Sequence, residues 1–220
     1  MSGLALATTA LTLRYGTELV LDMPALSAVP GSLTVLSGAS GSGKSSLLYL
    51  LSGLARPTTG SVTWGGTDLS ALSESQRDRW RREHAGFIFQ DFHLIDEMTP
   101  LDNVLLPAWF SRASAAPLRD RARGLLDELA VLLERRQAAL LSRGEQQRVA
   151  IARALLGDPA VIFADEPTAS LDRVAGAQVI AVLGRLAAEG RTVIAASHDP
   201  ELRAVATAEL VLDHGKMVMA

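Results

Sequence analysis

The feature that most constrains the fold of this 220-residue chain is a glycine-rich loop between a strand-like and a helix-like segment. Residues 38–45 read GASGSGKS and fit the pattern G-x-x-x-x-G-K-[ST] at every constrained position. Residues 32–37 are short, apolar and partly β-branched, as in a buried parallel strand, and residues 45–51 read as a helix. This order of strand, loop and helix predicts an α/β fold of the P-loop NTPase class.

The chemistry of the loop suits a polyphosphate. Its glycines permit a backbone that points several N–H groups at one centre, where the helix N-terminus adds positive potential. Lys44 would reach the β- and γ-phosphates, and the Ser45 hydroxyl would ligate the magnesium ion that bridges them. The predicted nucleotide-binding residues here are Gly38, Ala39, Ser40, Gly41, Ser42, Gly43, Lys44, Ser45 and Ser46. The alternative is a glycine-rich turn with a solvated lysine.

Composition excludes several classes of function. The chain has 21 basic and 24 acidic residues without a long single-sign block, which argues against a general electrostatic grip on nucleic acid. It has no cysteine, so disulfides and thiolate metal sites are excluded. No run approaches the roughly 18 apolar residues that a spanning helix needs, so membrane work would require a partner. The apolar start at residues 3–13 lacks a basic region and is predicted to be a strand rather than a signal peptide.

Before the loop the chain is rich in predicted strands, at residues 4–13 and 18–23, and residues 61–64 predict another. Tyr15 follows the first strand. It is either a platform for stacking adenine or a half-buried strand aromatic, and the residues alone favour the second. Further on, four arginines surround Trp80 in a helical segment. Acidic neighbours dilute them, so the segment is predicted to be a solvated helix face rather than a nucleic-acid patch.

Residues 86–89 predict a strand that delivers Gln90 at its end. Apolar spacing then predicts helices at residues 101–110 and 118–133, separated by Pro107 and Pro117. This helical region runs to about residue 141, so more than a hundred residues separate the phosphate loop from the next strand with candidate catalytic residues. Small P-loop kinases and GTPases seldom need that much chain.

Ser142 and Glu145 form a predicted capping box at the start of a further helix. The N-terminus of that helix would be a second anion site, although an ordinary capped helix explains the same residues. Residues 160–164 then predict a buried parallel strand that presents Asp165 and Glu166 at its carboxyl end. In a P-loop protein Asp165 would hold the metal and Glu166 would polarise the attacking water.

The last predicted core strand, residues 192–196, places His198 where it can sense a γ-phosphate. It follows a predicted helix at residues 174–188. Residues 210–213 and 216–219 predict a closing hairpin.

In this order the motifs resemble the nucleotide-binding subunit of the ATP-binding cassette superfamily over essentially the whole chain. By resemblance the chain carries a Walker A loop (38–45), a Q-loop at Gln90, a signature (141–145), a Walker B strand (161–166), a D-loop (169–172) and a switch histidine, His198. Tyr15 then matches the adenine-stacking aromatic. Residues 86–95 and 102–104 look most like the bacterial group that contains lipoprotein-release, macrolide-export and cell-division cassette ATPases.

The resemblance implies one cassette domain over residues 1–220, with a RecA-like core, an antiparallel β layer and a helical signature lobe at about 91–157. It implies ATP as the nucleotide and Mg²⁺ as the metal. The implied catalytic residues are Glu166, His198 and Gln90, and the implied metal ligands are Ser45, Gln90 and Asp165. The signature residues Ser142, Gly144 and Glu145 would contact the nucleotide of a second subunit.

The resemblance also implies partners. Two subunits would sandwich two ATP molecules as a homodimer, and residues 91–95 would receive a helix of an integral membrane permease. The subunit would then lie peripherally on the cytoplasmic face of the inner membrane, with no nucleic acid expected. A soluble cassette ATPase acting on nucleic acid or the ribosome is the alternative, and a small-molecule P-loop kinase would leave the signature and His198 unexplained.

Two features depart from the family pattern. The signature reads LSRGE, with Arg143 at a position where the family usually has glycine, and the connection at residues 135–140 is short and lacks the common proline. Arg143 would either swing toward the phosphate as an added charge or lie along the helix surface with its guanidinium in solvent. We expect the second, because side chains near a helix N-terminus commonly project outward.

Overall fold

The computed structural model describes residues 2–109, 115–131 and 137–218. Its strands are Leu6–Thr8 (β1), Leu11–Tyr15 (β2), Glu18–Met23 (β3), Ser27–Ala28 (β4), Leu33–Ser37 (β5), Val62–Trp64 (β6), Thr67–Asp68 (β7), Ala85–Ile88 (β8), Val161–Asp165 (β9), Thr192–Ala196 (β10), Ala208–Asp213 (β11) and Lys216–Val218 (β12). Its α-helices are Lys44–Leu51 (α1), Glu74–His84 (α2), Pro100–Trp109 (α3), Ala115–Glu128 (α4), Arg143–Leu155 (α5), Arg173–Ala188 (α6) and Pro200–Ala204 (α7).

The larger sheet has the strand order β2-β3-β12-β11-β5-β10-β9-β8, and its run from β11 to β8 is parallel throughout. Every residue of β5 and β10 is buried, which explains their unbroken apolar sequences. Because parallel strands end at the same edge of a sheet, the residues that follow β5, β8, β9 and β10 gather at one edge. These residues are the glycine loop, Gln90, Glu166 and His198.

The smaller sheet is antiparallel, in the order β4-β1-β6-β7. The prediction of one strand over residues 4–13 is therefore wrong. Leu6 pairs with Trp64 in the smaller sheet, whereas Leu11 pairs with Met23 in the larger one. The chain changes sheets at residues 9–10, where the leucines shift from even positions (4 and 6) to odd positions (11 and 13), a change of phase that the prediction of one strand overlooked. The closing hairpin of β11 and β12 is confirmed as far as Val218; residue 219 lies outside the described residues.

Helices α3, α4 and α5 pack together and share one apolar cluster with the main sheet, including Leu101, Leu126, Val149 and Ile162. Pro107 lies inside α3 and does not separate two helices as predicted. It lies near the last residue described for this helix and cannot donate to the carbonyl of Asn103, four residues earlier, so one hydrogen bond is missing there. Pro117 lies in the first turn of α4, where backbone N–H groups have no intrahelical acceptor. Predicted helix residues 110 and 132–133 lie outside the described residues, as do residues 135–136 of the short connection.

The basic cluster on α2 is not the solvated face that the sequence predicted. Arg77 is 4 % exposed and forms an ion pair with Glu74. Trp80 is buried, and the centroid of its ring lies 6.3 Å from that of Trp64. Arg79 and Arg82 face solvent. One side of this helix therefore belongs to the core, and the arginine stem on that side is packed rather than hydrated.

Across the described ranges, no helix is both long enough and apolar enough to cross a membrane.

Candidate functional site

The glycine loop joins β5 to α1 in the backbone conformation that its sequence predicted. Gly38, Gly41 and Gly43 all have positive φ, at 141°, 77° and 102°. A Cβ at Gly38 would lie 2.2 Å from the Leu212 carbonyl oxygen, and one at Gly43 would lie 2.8 Å from a Leu21 methyl carbon. Side chains at these two positions would therefore clash as well as strain the backbone. The loop takes its shape because only glycine fits there.

Lys44 begins α1 and is 7 % exposed. Its ammonium donates hydrogen bonds to the carbonyl oxygens of Gly38 and Ala39, at 2.9 and 3.0 Å, so the lysine folds back over its own loop. The Ser42 hydroxyl is buried and has no hydrogen-bond partner among the described residues. Ala39, Ser40 and Gly41 are exposed, and Ser45 and Ser46 are half-buried. The loop thus encloses a buried cation and an unsatisfied hydroxyl beneath an exposed rim.

Asp165, the last residue of β9, meets α1. Its carboxylate accepts hydrogen bonds from the Ser45 hydroxyl at 2.9 Å and from the Tyr49 hydroxyl at 3.3 Å. Burial raises the pKa of the Asp165 carboxyl above its ordinary value, although these two hydrogen bonds oppose the shift. Sequence reasoning missed Tyr49. Its position four residues after Ser45, on the same face of a helix, is the signal that indicates it.

Glu166 follows Asp165 in a left-handed conformation, with φ of 44°. Its backbone N–H donates to the Ala196 carbonyl oxygen at 2.8 Å, which anchors the strained residue to β10. One carboxylate oxygen lies 3.8 Å from the Lys44 ammonium, and the other lies 3.0 Å from Nδ1 of His198. The His198 side chain is 70 % exposed, whereas that of Glu166 is 15 % exposed. The structure therefore brings the predicted cation, base and histidine together.

Gln90 and Tyr15 lie at the margin of this cluster. Ile88 pairs with Ala164 in the parallel register, so Gln90 leaves the sheet on the same edge as Asp165. Tyr15 ends β2 and is 63 % exposed, so its ring is open to stacking. Both side chains are exposed in the described structure.

The signature residues form a separate site at the N-terminus of α5. Ser142 caps the helix, and the Glu145 carboxylate accepts from the Ser142 backbone N–H at 2.8 Å, which confirms the predicted capping box. A Cβ at Gly144 would lie 3.0 Å from the Ala175 Cβ, so α6 packs closely here. A cavity of about 420 Å³ opens at this helix end, lined in part by Ser142, Gly144 and the D-loop residue Asp172. Its lining includes no residue of the glycine loop of the same chain.

Arg143 is exposed, as expected from the sequence, but its guanidinium also lies against another side chain, which the sequence did not predict. The side chain projects outward, but its guanidinium carbon lies 4.7 Å from the centroid of the Phe92 ring. Phe92 is 6 % exposed and belongs to the segment after Gln90. The sequence could not show this contact, because the two residues are distant in the chain.

An apolar groove of about 650 Å³ lies between α2, β8 and the helices α3 to α5. Its apolar lining includes Phe87, Phe89, Pro107 and Leu156. Arg82, His93 and Arg153 add polar and cationic groups to the lining. Arg153 donates to the carbonyl oxygens of Phe92 and His93, and burial lowers the pKa of its guanidinium. The groove is thus apolar with a basic flank, and it adjoins the segment at residues 91–95.

Comparisons with known proteins agree with this geometry. The family model described as ABC transporter matches residues 21–169. The chain is 44 % identical over 208 residues to "Macrolide export ATP-binding/permease protein MacB 1/2" of Paracoccus denitrificans (strain Pd 1222), covering 94 % of this chain and 30 % of that protein. It is 43 % identical over 190 residues to the protein named MacB of Rhodopseudomonas palustris (strain BisB18), covering 86 % of this chain and 29 % of that protein. The chain therefore spans about a third of the length of these curated relatives.

Solved structures show the same fold. An ATP-binding cassette described as a dimer in a post-hydrolysis state bound to ADP and Pi superposes with a TM-score of 0.87 and 32 % sequence identity, covering 97 % of each chain. A second structure, described as a dimeric bacterial ABC transporter cassette, superposes equally well at the same identity. The predicted P-loop α/β fold is therefore confirmed.

Proposed function

The chain belongs to the ABC transporter family, and on that premise we propose that it binds and hydrolyses ATP to drive a membrane permease. One observation carries the proposal. Glu166 lies 3.8 Å from the Lys44 ammonium at the start of α1 and 3.0 Å from Nδ1 of His198, so residues that follow β5, β9 and β10 meet in one cluster. A buried cation beside a carboxylate that can accept a proton suits the hydrolysis of a polyphosphate.

The glycine loop fits a nucleotide phosphate. The Ser42 hydroxyl is buried without a partner among the described residues, and a phosphate oxygen would give it an acceptor. The Lys44 ammonium donates its hydrogen bonds to two neutral carbonyl groups of its own loop. A bound phosphate would offer this cation a negatively charged acceptor in their place. We therefore assign residues 38–46 to the β- and γ-phosphates, and Tyr15 to the adenine ring.

The residues at the end of β9 fit Mg²⁺. Ser45 and Asp165 offer a hydroxyl and a carboxylate oxygen 2.9 Å apart, and oxygen is the ligand that Mg²⁺ prefers. The described residues contain no group of three or more His, Cys, Asp or Glu that could hold a metal. Mg²⁺ is commonly held by one or two protein carboxylates, with substrate phosphates and water as its remaining ligands. We assign Ser45, Asp165 and Gln90 as its protein ligands. When bound, Mg²⁺ would neutralise charge on the phosphates.

Glu166 is the proposed general base. It would accept a proton from the water that attacks the γ-phosphate, because it is the carboxylate nearest to Lys44 at the open end of the loop. His198 holds one of its oxygens at 3.0 Å and would orient the carboxylate. The exposed part of the imidazole remains open to the γ-phosphate.

The nucleotide site would be completed by a second copy of the chain. The N-terminus of α5 is an exposed helix end that carries Ser142 and Gly144, and it does not line the glycine loop of its own chain. A helix N-terminus binds anions through its free N–H groups and its dipole. We propose that Ser142, Gly144 and Glu145 face the γ-phosphate held by the partner, and the dimeric cassettes of the same fold support this arrangement.

The apolar groove is the proposed docking site for the permease. The curated relatives are named ATP-binding/permease proteins and are about three times as long as this chain, which leaves room in them for membrane parts. The groove adjoins residues 91–95, where the sequence predicted a permease helix to dock, and its apolar lining suits such a helix. We therefore propose a peripheral position on the cytoplasmic face of the inner membrane. Nothing in these relatives supports the nucleic-acid alternative.

The direct test is phosphate release from MgATP by the purified chain, with Lys44→Ala as the inactive control. We expect ATP-dependent release from the unmodified chain, and further stimulation by membranes that contain the matching permease. Absence of hydrolysis at saturating MgATP, with or without those membranes, would refute the proposal. Stimulation by DNA or ribosomes, without any effect of the permease, would favour the alternative.

A further inference from the structure

Arg143 and Arg153, both on α5, hold the same short turn after β8. The Arg143 guanidinium covers the Phe92 ring at 4.7 Å. Arg153 donates hydrogen bonds to the carbonyl oxygens of Phe92 and His93, at 2.6 and 2.5 Å. Ten residues of helix separate the two arginines, which corresponds to about 15 Å along the axis. The turn at residues 91–93 is therefore fastened to α5 at two points.

The turn needs such support. Phe92 and His93 have φ of 20° and 48°, a region that residues other than glycine rarely adopt. Strained backbone persists only where its surroundings determine it, and here they include the two arginines, the buried position of Phe92 and the Phe89 ring, whose centroid lies 5.1 Å from that of His93. Removing one of the two contacts should let the turn relax toward ordinary conformations.

The turn also has two neighbours of different function. His93 lines the apolar groove, while Phe92 lies beneath the first residue of α5. The same first turn of α5 carries Ser142 and Gly144, which we propose to face the partner's ATP. An occupant of the groove that moves His93 would therefore act on the helix end through Phe92 and Arg143.

We propose that Arg143 is a positioning residue that couples the groove-lining turn at residues 91–93 to the ATP-facing end of α5. The effect of this coupling on ATP hydrolysis rests on the proposed function, whereas the contact between Arg143 and Phe92 is independent of it. A guanidinium suits the role because its planar, weakly hydrated cation stacks on an aromatic face. An exposed cation–π contact contributes enough to shift a local equilibrium by about two- to fivefold. The departure from glycine in the signature is then a functional substitution of this chain.

The first experiment is amide hydrogen exchange of the peptide that contains residues 89–95, measured without nucleotide. We expect this peptide to exchange about two- to fivefold faster in Arg143→Gln than in the unmodified chain. Arg143→Lys keeps a cation near the ring but loses the planar guanidinium, so it should restore only part of the protection. Arg79→Gln removes an exposed arginine from α2 and serves as the matched control. Equal exchange in Arg143→Gln and the unmodified chain would overturn the proposal.

The second experiment tests the consequence for ATP hydrolysis. We expect Arg143→Gly to lower kcat by about two- to fivefold and to leave KM unchanged, since it does not contact the glycine loop. Phe92→Leu should have the same effect, and the double variant should be no worse than either single variant. Multiplying effects would overturn the coupling, and a loss of several hundredfold would make Arg143 catalytic instead. If the unmodified chain hydrolyses no ATP, the proposed function fails, while the exchange result still decides whether the contact exists.

Discussion

Replacement of Glu166 by glutamine should nearly stop ATP hydrolysis without weakening ATP binding. Glutamine has the same size and the same backbone preferences, so the left-handed position at φ 44° is no more strained than before. Its amide oxygen can still accept a hydrogen bond from His198, but it cannot take a proton from water. A general base contributes about 10²- to 10⁴-fold, which corresponds to about 3–5 kcal/mol in the barrier.

The structure also predicts the effect on binding. The Glu166 carboxylate lies 3.8 Å from the Lys44 ammonium, an attraction on the order of 4 kcal/mol at an effective dielectric constant of about 20. Removing this carboxylate frees Lys44 for the phosphates, so the affinity for MgATP should be equal or higher. Single-turnover phosphate release and isothermal titration with ATP measure the two effects separately. Turnover within threefold of the unmodified chain, or lost ATP binding, would refute the assigned role.

Three further substitutions test the loop and the sheet that supports it. Lys44→Ala should weaken MgATP binding by about 10- to 150-fold, since charged hydrogen bonds contribute about 1.5–3 kcal/mol; an unchanged titration would contradict the role of the lysine. Gly38→Ala should lower the free energy of unfolding, measured in urea, by about 2–5 kcal/mol, because it combines an unfavourable φ with a clash against the Leu212 carbonyl. Gly41→Ala should lower it less, because a Cβ there meets no atom within 4 Å. Equal losses of stability in the two variants would contradict this explanation. Hydrogen bonds from Ser37 and Arg203 lower the pKa of the Glu209 carboxyl, so Glu209→Gln should reduce stability at neutral pH. The difference should begin to shrink as pH falls below the ordinary Glu pKa of about 4.3, and it should vanish only below the lowered pKa of the folded state, where both states bind the proton. A difference that grows in acid would have the wrong sign.

The glycine loop and the strand ends could be predicted because their chemistry is encoded locally. The spacing of Gly38, Gly43 and Lys44 leaves one backbone shape, and buried apolar runs indicate parallel strands whose ends must share an edge. That inference brought Asp165, Glu166 and His198 into one site, where the structure places them.

The features that the sequence did not reveal depend on contacts between distant segments. The change of sheet between Thr8 and Leu11 is decided by which strands pair, and its local sign is the shift of the leucines from even to odd positions. Arg77 is buried because α2 packs against the core on the side that carries Arg77 and Trp80. The acidic residues near them in the sequence had favoured a solvated face. The contact between the Arg143 guanidinium and the Phe92 ring likewise joins two residues that are far apart in the sequence. Local patterns indicate elements and motifs, whereas the partner of a long side chain is decided by the tertiary fold.

The measurement that tests the central claim most directly is the molar mass of Glu166→Gln by light scattering, with and without MgATP. Each composite site needs Lys44 of one chain and the helix end at Ser142 and Gly144 of another, so ATP should double the mass from that of the 23.3 kDa chain. Introducing Gly144→Asp into the same variant should abolish the dimer, because a carboxylate would then face the γ-phosphate. A mass of one chain at saturating, bound ATP would contradict a nucleotide site shared between two subunits.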